Sequence, residues 1–280
     1  MTALPENLEV WHAPAKLNLF LHITGQRSDG YHELQTVFQL LDYGDKLAFE
    51  VTDDSTIQRV TDIPGVAQSD DLVVRAAKLL QQHLAVQQGV RIYLDKQLPM
   101  GGGLGGGSSD AATTLVALNQ IWGGNLSIAE LIIIGVQLGA DVPVFIRGRT
   151  AWAEGVGDQL ESVTLPSRCY LVVNPGVHVS TAELFSSPEL TRDCRAITIR
   201  AFLDGTTLNV FEPLVKQRYP KVSAALNWLD QFSKAKLTGT GGCIFAEFSN
   251  QAEARNALRC LPPEYTGFVS WGVDRSPHRL

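Results

Sequence analysis

The sequence is poor in cysteine and lacks long apolar runs. Its 280 residues include four cysteines, and no two of them form a C-x-x-C pair. A disulfide framework or a zinc site is therefore not expected, and a reducing cytoplasm is the expected location. No stretch approaches the roughly 18 apolar residues that a membrane helix needs, and the longest uninterrupted aliphatic run is residues 131–134. No membrane partner is expected.

An excess of positive charge is also missing. Lysine and arginine number 23 against 29 acidic residues, which gives a formal net charge of −6. Binding to nucleic acid needs a concentrated basic surface, so nucleic acid is not expected as a partner. The first ten residues lack a basic region followed by an apolar one, and they predict no signal peptide. With 45% apolar and 19% charged residues, the chain is typical of a globular protein.

Alternating apolar and polar residues predict the first strand, over residues 16–23. This alternation places Lys16 and Asn18 on the same face of the strand. Further strands are predicted over residues 46–51, 90–94, 170–173, 243–248 and 268–273. Helices are predicted after Asp70 or Asp71, after an N-cap among residues 108–110, from Ser127 through Leu138 with Gly139 just beyond the end, after Asp141, and over residues 220–232 and 251–258.

These strands and helices mix without the regular alternation of a doubly wound sheet. The pattern predicts an α+β fold with two layers in each half of the chain. Pro166 interrupts the pattern near residues 161–167, and the predicted domains are residues 1–163 and 164–280. This division fits the length, because single cores stop growing near 250–300 residues.

A dense glycine run lies between a predicted strand and a predicted helix. Six of the seven residues 101–107 are glycine. Glycines allow consecutive backbone N–H groups to converge on an anion, and the following helix adds the positive end of its dipole. A phosphate-binding loop is favoured over a merely flexible turn. It is a weak match to a dinucleotide fingerprint, and it is no Walker A loop because Ser108 occupies the lysine position.

Other candidates are individually ambiguous. Asp141 suits a proton acceptor for a hydroxyl nucleophile, although an aspartate there is more commonly a helix N-cap. Lys16 suits neutralisation of a phosphoryl group, or it is an exposed strand lysine. Tyr31 and His32 suit stacking or hydrogen bonding to a base, or they are ordinary packing residues. A second glycine-rich segment, residues 238–242, either closes over a site or forms a plain hairpin turn.

Taken together, these segments resemble the GHMP kinase superfamily. The resemblance rests on residues 14–21 with residues 30–38, on residues 98–112, and on residues 237–243. Residues 139–145 and 174–177 add to it. Several long motifs occur in order over most of the chain. Gly106, Gly107, Ser108 and Ser109 follow the pattern of the branch that acts on a cytidine diphosphate substrate.

The resemblance implies a two-domain fold, with an N-terminal domain like the second domain of ribosomal protein S5 and a ferredoxin-like C-terminal domain. It implies a kinase that transfers phosphate from ATP to a small cytidine diphosphate derivative in the non-mevalonate route to isoprenoids. Lys16 and Asp141 match the catalytic pair. Asn18, Tyr31, His32 and Phe185 are the implied substrate residues. The implied ATP-binding residues are Lys96, Pro99, Met100, Gly101, Gly102, Gly103, Leu104, Gly105, Gly106, Gly107, Ser108 and Ser109.

The chain departs from the general pattern at two places. Glycines stand where the wider superfamily has serines, so Mg²⁺ is expected only as the nucleotide complex and no protein ligand is assigned to it. Asp71 stands where an asparagine is expected beside the adenine. Two alternatives stay open: another small-molecule kinase of the superfamily, of the homoserine or mevalonate type, and a nucleotide-binding regulator without activity.

Overall fold

The computed structural model describes residues 4–205 and 207–277. Within them, helices pack against a largely antiparallel sheet, so the predicted α+β class is confirmed. The strands are β1 (Trp11–Gln26), β2 (His32–Thr52), β3 (Ile57–Arg59), β4 (Gly89–Asp95), β5 (Ala151–Glu154), β6 (Gln159–Ser162), β7 (Cys169–Asn174), β8 (Ala235–Leu237), β9 (Ile244–Phe248) and β10 (Thr266–Val273). The helices are α1 (Leu72–Leu84), α2 (Gly106–Ile121), α3 (Ile128–Val136), α4 (Val142–Arg147), α5 (Thr181–Ser186), α6 (Ile199–Leu203), α7 (Glu212–Arg218), α8 (Pro220–Leu229) and α9 (Gln251–Arg259).

The N-terminal half is built on two long antiparallel strands. β1 and β2 pair along nearly their whole lengths, and β2 also pairs with β4 and β5. Helices α1, α2 and α4 contribute to the core behind these strands, which includes Leu40, Leu80 and Leu115. Fully burying one such leucine stabilises the fold by roughly 1.5–3 kcal/mol. This packing fixes the strand that carries Lys16 and Asn18.

The C-terminal half is a smaller sheet with its own core. Its strands follow the order β10-β7-β9-β8, and every neighbouring pair is antiparallel. Leu171, Leu226 and Ile244 are fully buried in the core that these strands share with α7, α8 and α9. The turn between β8 and β9 contains the second glycine-rich segment, so it is a hairpin turn.

The last strand joins the two halves. After pairing with β7, β10 continues so that Gly272 and Val273 pair with Leu41 and Leu40 of β2. The described strands thereby form one ten-stranded sheet. We propose the segment between β6 and β7, residues 163–168, as the boundary between the domains 1–163 and 164–280. On this division, β10 of the second domain also pairs with β2 of the first domain.

Two helix starts are confirmed by their caps. The Asp71 carboxylate accepts a hydrogen bond from the Val73 N–H at 2.8 Å and begins α1. Ser127 and Glu130 form the predicted capping box of α3. That helix ends at Val136 with Gln137 as its C-cap, so Gly139 is not the residue just beyond its end.

The N-cap predicted for α2 is wrong. The helix begins at Gly106, two residues before Ser108, and Gly105 is its N-cap with φ of 72°. A left-handed residue at this position suits glycine, which lacks a Cβ. The turn at Gly105 therefore starts the helix earlier in the sequence than predicted. Ser108 lies within the first helical turn and not before it.

Candidate active site

The first glycine-rich loop forms one wall of a cavity. Gly101, Gly103 and Gly105 have φ values of 69°, 76° and 72°, which are left-handed conformations that favour glycine. The loop and the start of α2 line a cavity of about 340 Å³. The backbone N–H groups of such a loop and the positive end of a helix dipole are suited to an anion such as phosphate.

A larger cavity of about 1130 Å³ adjoins the first. Gly101, Gly103 and Ser108 line both cavities, so the glycine-rich loop is their common wall. Lys16 and Asp141 line the larger cavity. An anion held by the loop would therefore lie next to these two side chains.

Lys16 and Asp141 form an ion pair. The distance from Lys16 Nζ to Asp141 Oδ2 is 3.3 Å, and the Lys16 side chain is 4% exposed while that of Asp141 is 35% exposed. Asp141 precedes α4 but makes no capping hydrogen bond with its side chain. Asp141 is therefore the N-cap residue by its position in the backbone, but its side chain does not cap the helix. Its carboxylate is available to the cavity.

A hydrogen-bond chain fixes Lys16. Its Nζ donates to Asn18 Oδ1 at 2.6 Å, and Asn18 Nδ2 donates in turn to Thr36 Oγ1 at 3.0 Å. The Lys16 backbone N–H donates to the carbonyl of Leu104 at 3.0 Å, which ties β1 to the glycine-rich loop. The predicted placement of Lys16 and Asn18 on one face is confirmed. Because these contacts bury Lys16, its ammonium group is held at one place.

The second glycine-rich segment packs directly on the first. The Cys243 N–H donates to the carbonyl of Gly102 at 3.0 Å, and Thr238 Oγ1 accepts from the Asn18 N–H at 3.0 Å. Gly239 and Thr240 line the larger cavity. The segment is thus a hairpin turn that also forms part of the cavity wall, and its closing over a site stays a prediction.

Aromatic side chains line another part of the larger cavity. Tyr31, His32 and Phe185 contribute to its wall, and the His32 and Phe185 ring centroids lie 5.0 Å apart. Tyr31 is 65% exposed. Burial, followed by the nearby Arg192, lowers the pKa of His32. Such a pair of rings is suited to a flat heterocycle.

Lys96 lies beside the glycine-rich loop between two aspartates. Its Nζ contacts Asp45 and lies 2.8 Å from Asp110 Oδ2. Asp45 also accepts the backbone N–H groups of Gln97 and Leu98 at 2.6 and 2.7 Å. Burial lowers the pKa of Lys96, but the two carboxylates outweigh it and the net direction is upward. The cluster therefore fixes the chain that enters the loop.

The same cluster contains one carboxyl group more than its single lysine can neutralise. Burial raises the pKa of Asp110 to about 8, and Asp45 adds to this while Lys96 opposes it. Asp110 Oδ1 has no hydrogen-bond partner among the described residues. Asp45, in contrast, accepts hydrogen bonds from three donors: the Lys96 ammonium and the backbone N–H groups of Gln97 and Leu98.

This arrangement predicts how stability depends on pH. An acid whose pKa rises on folding keeps its proton where the unfolded chain has lost it, so the folded state loses stability as the pH rises from 3.8 to about 8. Asp110→Asn should remove this dependence, which amounts to at most about 1.4 kcal/mol per pH unit. Urea unfolding at pH 5, 6, 7 and 8 measures it. The stability of the variant relative to the wild type should increase with pH, and parallel curves would contradict the assignment.

Known proteins match this chain over nearly its whole length. The family model of the "GHMP kinases N terminal domain" matches residues 71–149, and that of "GHMP kinases C terminal" matches residues 192–266. A 4-diphosphocytidyl-2-C-methyl-D-erythritol kinase of Nitrosococcus oceani is 57% identical over 267 residues, which are 95% of each chain. The kinase of the same name from Pseudomonas aeruginosa is 55% identical over 94% of each chain.

The chain is a GHMP kinase of the 4-diphosphocytidyl-2-C-methyl-D-erythritol kinase family. A solved structure of a 4-(cytidine 5'-diphospho)-2C-methyl-D-erythritol kinase superposes on this GHMP kinase with a TM-score of 0.84 at 30% identity, over 95% of this chain and all of the other. A mevalonate kinase of Methanococcus jannaschii has a TM-score of 0.70 at 17% identity, which shows only a shared fold. The resemblance found in the sequence is confirmed, and the chain is an ATP-dependent phosphotransferase.

Most of the residues predicted for ATP line the smaller cavity of this GHMP kinase. Lys96, Pro99 and Met100 do so, and so do all residues from Gly101 to Ser108. Ser109 is the exception, because its side chain is completely buried and its Oγ has no partner among the described residues. Asp71 borders the cavity but is paired with Arg59, so both of its carboxylate oxygens are engaged within the protein.

Several residues of this GHMP kinase site are not predicted from the sequence. Thr36 supports Asn18, and Asn209 donates to the carbonyls of Leu237 and Gly239 at 3.0 and 2.8 Å. Arg192 contacts His32. Thr36 lies within the motif of residues 30–38, but nothing in that motif indicates that it supports Asn18. Asn209 and Arg192 are single polar residues outside the motifs, so no pattern in the sequence distinguishes them from surface residues.

Two further features of this GHMP kinase concern metals and membranes. Within residues 4–205 and 207–277, no group of three or more His, Cys, Asp or Glu side chains is arranged to hold a metal ion. None of the helices in those ranges has the length and apolar character needed to cross a membrane.

Proposed function

We propose that this kinase transfers the γ-phosphoryl group of ATP to the 2-hydroxyl group of 4-diphosphocytidyl-2-C-methyl-D-erythritol. The observation that carries the proposal is the Lys16–Asp141 ion pair beside the wall shared by the two cavities. One cavity has a phosphate-binding loop, and the other has aromatic side chains suited to a base. The pair thus lies where a phosphoryl donor and an alcohol acceptor would meet.

On the donor side, we propose that the amides of residues 101–107 hold the phosphates of ATP. Positioning and charge neutralisation dominate phosphoryl transfer, and backbone N–H groups supply both. Lys96 supports the loop through Asp45 and Asp110. The donor set described above offers no resident metal site, so we propose that Mg²⁺ arrives bound to the nucleotide.

At the centre, we propose that Asp141 orients the acceptor hydroxyl and receives its proton. The hydroxyl oxygen then forms a bond to the γ-phosphorus as the bond from that phosphorus to ADP breaks. Lys16 neutralises charge on the reacting oxygens. Because Lys16 is buried and held by Asn18, its ammonium needs little rearrangement at the moment of reaction.

On the acceptor side, we propose that Tyr31, His32 and Phe185 bind the cytosine, and that Asn18 contacts the substrate near the reacting end. The lining of the larger cavity supports this, since it includes both the aromatic rings and the Lys16–Asp141 pair. We propose that a cytidine diphosphate derivative spans the two. We further propose a cytoplasmic location, which the four free cysteines support.

A direct assay tests the proposal. Purified protein, ATP, Mg²⁺ and 4-diphosphocytidyl-2-C-methyl-D-erythritol should yield a product heavier by one phosphoryl group, formed in step with ADP. Homoserine and mevalonate serve as competing alcohols and should remain unmodified. Turnover of one of them in place of the cytidine substrate would move the protein to another branch of the superfamily. ATP binding without transfer to any alcohol would leave only a nucleotide-binding regulator.

A further inference from the structure

Arg192 uses all three of its guanidinium nitrogens to organise the base end of the larger cavity. Its Nε donates to His32 Nε2 at 3.0 Å. Its Nη1 donates to the carbonyl of Leu190 at 3.1 Å, and its Nη2 donates to the carbonyls of Phe185 and Ser187, both at 2.8 Å. One side chain therefore connects the strand that carries His32 with the helix that carries Phe185.

This contact determines where His32 carries its proton. A guanidinium has only donors, so His32 Nε2 must accept the hydrogen bond. A neutral imidazole with an accepting Nε2 has its hydrogen on Nδ1. The positive charge of Arg192 opposes a second proton on the ring. The two acidic residues close to His32 in the sequence, Asp29 and Glu33, have other partners: Asp29 accepts the Tyr31 N–H at 3.0 Å, and Glu33 is paired with Arg27 at 2.9 Å.

We propose that Arg192 is a positioning residue for the substrate base: it fixes His32 in the Nδ1–H tautomer and holds that ring beside Phe185. The inference rests on the proposed function, because it assumes that a base binds there. His32 and Phe185 line the cavity, while Arg192 lies behind them. The arrangement offers one fixed donor to a base edge that carries a ring nitrogen or carbonyl acceptor, as a pyrimidine such as cytosine does.

The chain offers a matched control for this role. Arg218 Nη2 donates to Ser187 Oγ at 2.6 Å and lies 3.2 Å from Glu189 Oε2. It therefore holds the same segment after α5 but makes no contact with His32. Arg192→Met and Arg218→Met both remove an arginine that supports this segment, and only the first removes the donor to the imidazole.

The first measurement is the protonation state of His32 by ¹⁵N NMR of the free full-length protein. In the wild type, we expect the Nδ1–H form, and added cytidine diphosphate should shift the His32 signals. In Arg192→Met, we expect the Nε2–H form to appear and the pKa of His32 to rise toward its ordinary value. Arg218→Met should match the wild type. A wild-type His32 with its proton on Nε2 overturns the proposal even if the Arg192 variant fails to fold.

The second measurement is the KM for the cytidine substrate at pH 6 and pH 8. At pH 8, Arg192→Met should raise it about tenfold, the equivalent of one hydrogen bond, while the KM for ATP stays unchanged. At pH 6 the increase should be smaller, because a protonated imidazole again carries a hydrogen on Nδ1. Arg218→Met should change neither value. Equal, pH-independent increases in both variants would mean that Arg192 only supports the segment.

The two measurements separate this inference from the proposed function. The NMR comparison needs no turnover. If the wild type fails to phosphorylate the cytidine substrate, the proposed function is rejected, whatever the tautomer of His32. If the wild type is active but His32 has the same tautomer in Arg192→Met as in the wild type, the role of Arg192 is rejected and the proposed function stands.

Discussion

Replacing Asp141 with asparagine should lower the turnover number by about 100-fold or more. The amide keeps the size of the side chain and leaves Lys16 in place, but it cannot accept the proton of the acceptor hydroxyl. ATP affinity should change little, because Asp141 does not line the smaller cavity of the glycine-rich loop. Steady-state kinetics with the cytidine substrate, combined with equilibrium binding of ATP, measure both effects.

The control for this substitution is Asp62→Asn, which makes the same change of charge at an exposed position. It should have the kinetics of the wild type. A double variant sharpens the test: Lys16→Met should also lower turnover strongly, and adding Asp141→Asn to it should cost much less than it does in the wild type. Such non-additivity is expected when two side chains act as a unit. Turnover close to the wild type in Asp141→Asn would end the assignment of a proton acceptor.

The role of Asp141 illustrates a limit of local sequence patterns. Its place before a helix with Pro143 made an N-cap the more common interpretation, and that interpretation depends only on neighbours in the sequence. The structure does place Asp141 at the N-cap, but its carboxylate makes no capping hydrogen bond and pairs with Lys16, 125 residues away. Only the resemblance to a family predicts that Lys16 and Asp141 act as a pair, because no periodic pattern in the sequence relates residues so far apart.

Local sequence patterns predict a helix start correctly where a single N-cap residue determines it. Asp71 caps α1 and Ser127 caps α3 as predicted, since a side-chain oxygen at an N-cap satisfies N–H groups that no helix can satisfy itself. The glycine-rich loop was also predicted, although its helix begins at Gly106. Residues 108–110 are polar and favour an N-cap, which predicts a later start for the helix. Gly105 tolerates the left-handed conformation, and this glycine is the N-cap in the structure.

The long strand β2 was predicted only in its last part, residues 46–51. Its earlier half contains Gln35, Thr36 and Gln39, which are all buried. They are hydrogen-bonded to distant groups; Gln39, for example, donates to Thr150 Oγ1 at 3.1 Å. Because these polar residues are buried and hydrogen-bonded, apolar and polar positions do not alternate in this part of β2. The sequence pattern therefore does not predict a strand here, and the strand depends on tertiary contacts.

The second large effect is expected at Gly103, where the two glycine-rich segments touch. Gly103 has φ of 76°, and a Cβ added there would lie 2.5 Å from the carbonyl oxygen of Thr238. Gly103→Ala must therefore strain its backbone and push the second segment away. We expect a loss of roughly 2–4 kcal/mol in the free energy of unfolding and a KM for ATP at least tenfold higher. Urea unfolding and ATP titration measure these changes.

Gly107→Ala is the control for stability, because it introduces the same methyl group into the same loop. Gly107 lies in the first turn of α2 without a positive φ, and its added Cβ would meet only Leu72 Cδ1, at 3.6 Å. Alanine in a helix is favoured over glycine by up to about 1 kcal/mol, so this variant should be as stable as the wild type or more stable. Equal losses in both variants would mean that the loop resists any side chain. A stable Gly103→Ala would instead show that the two segments need no close contact.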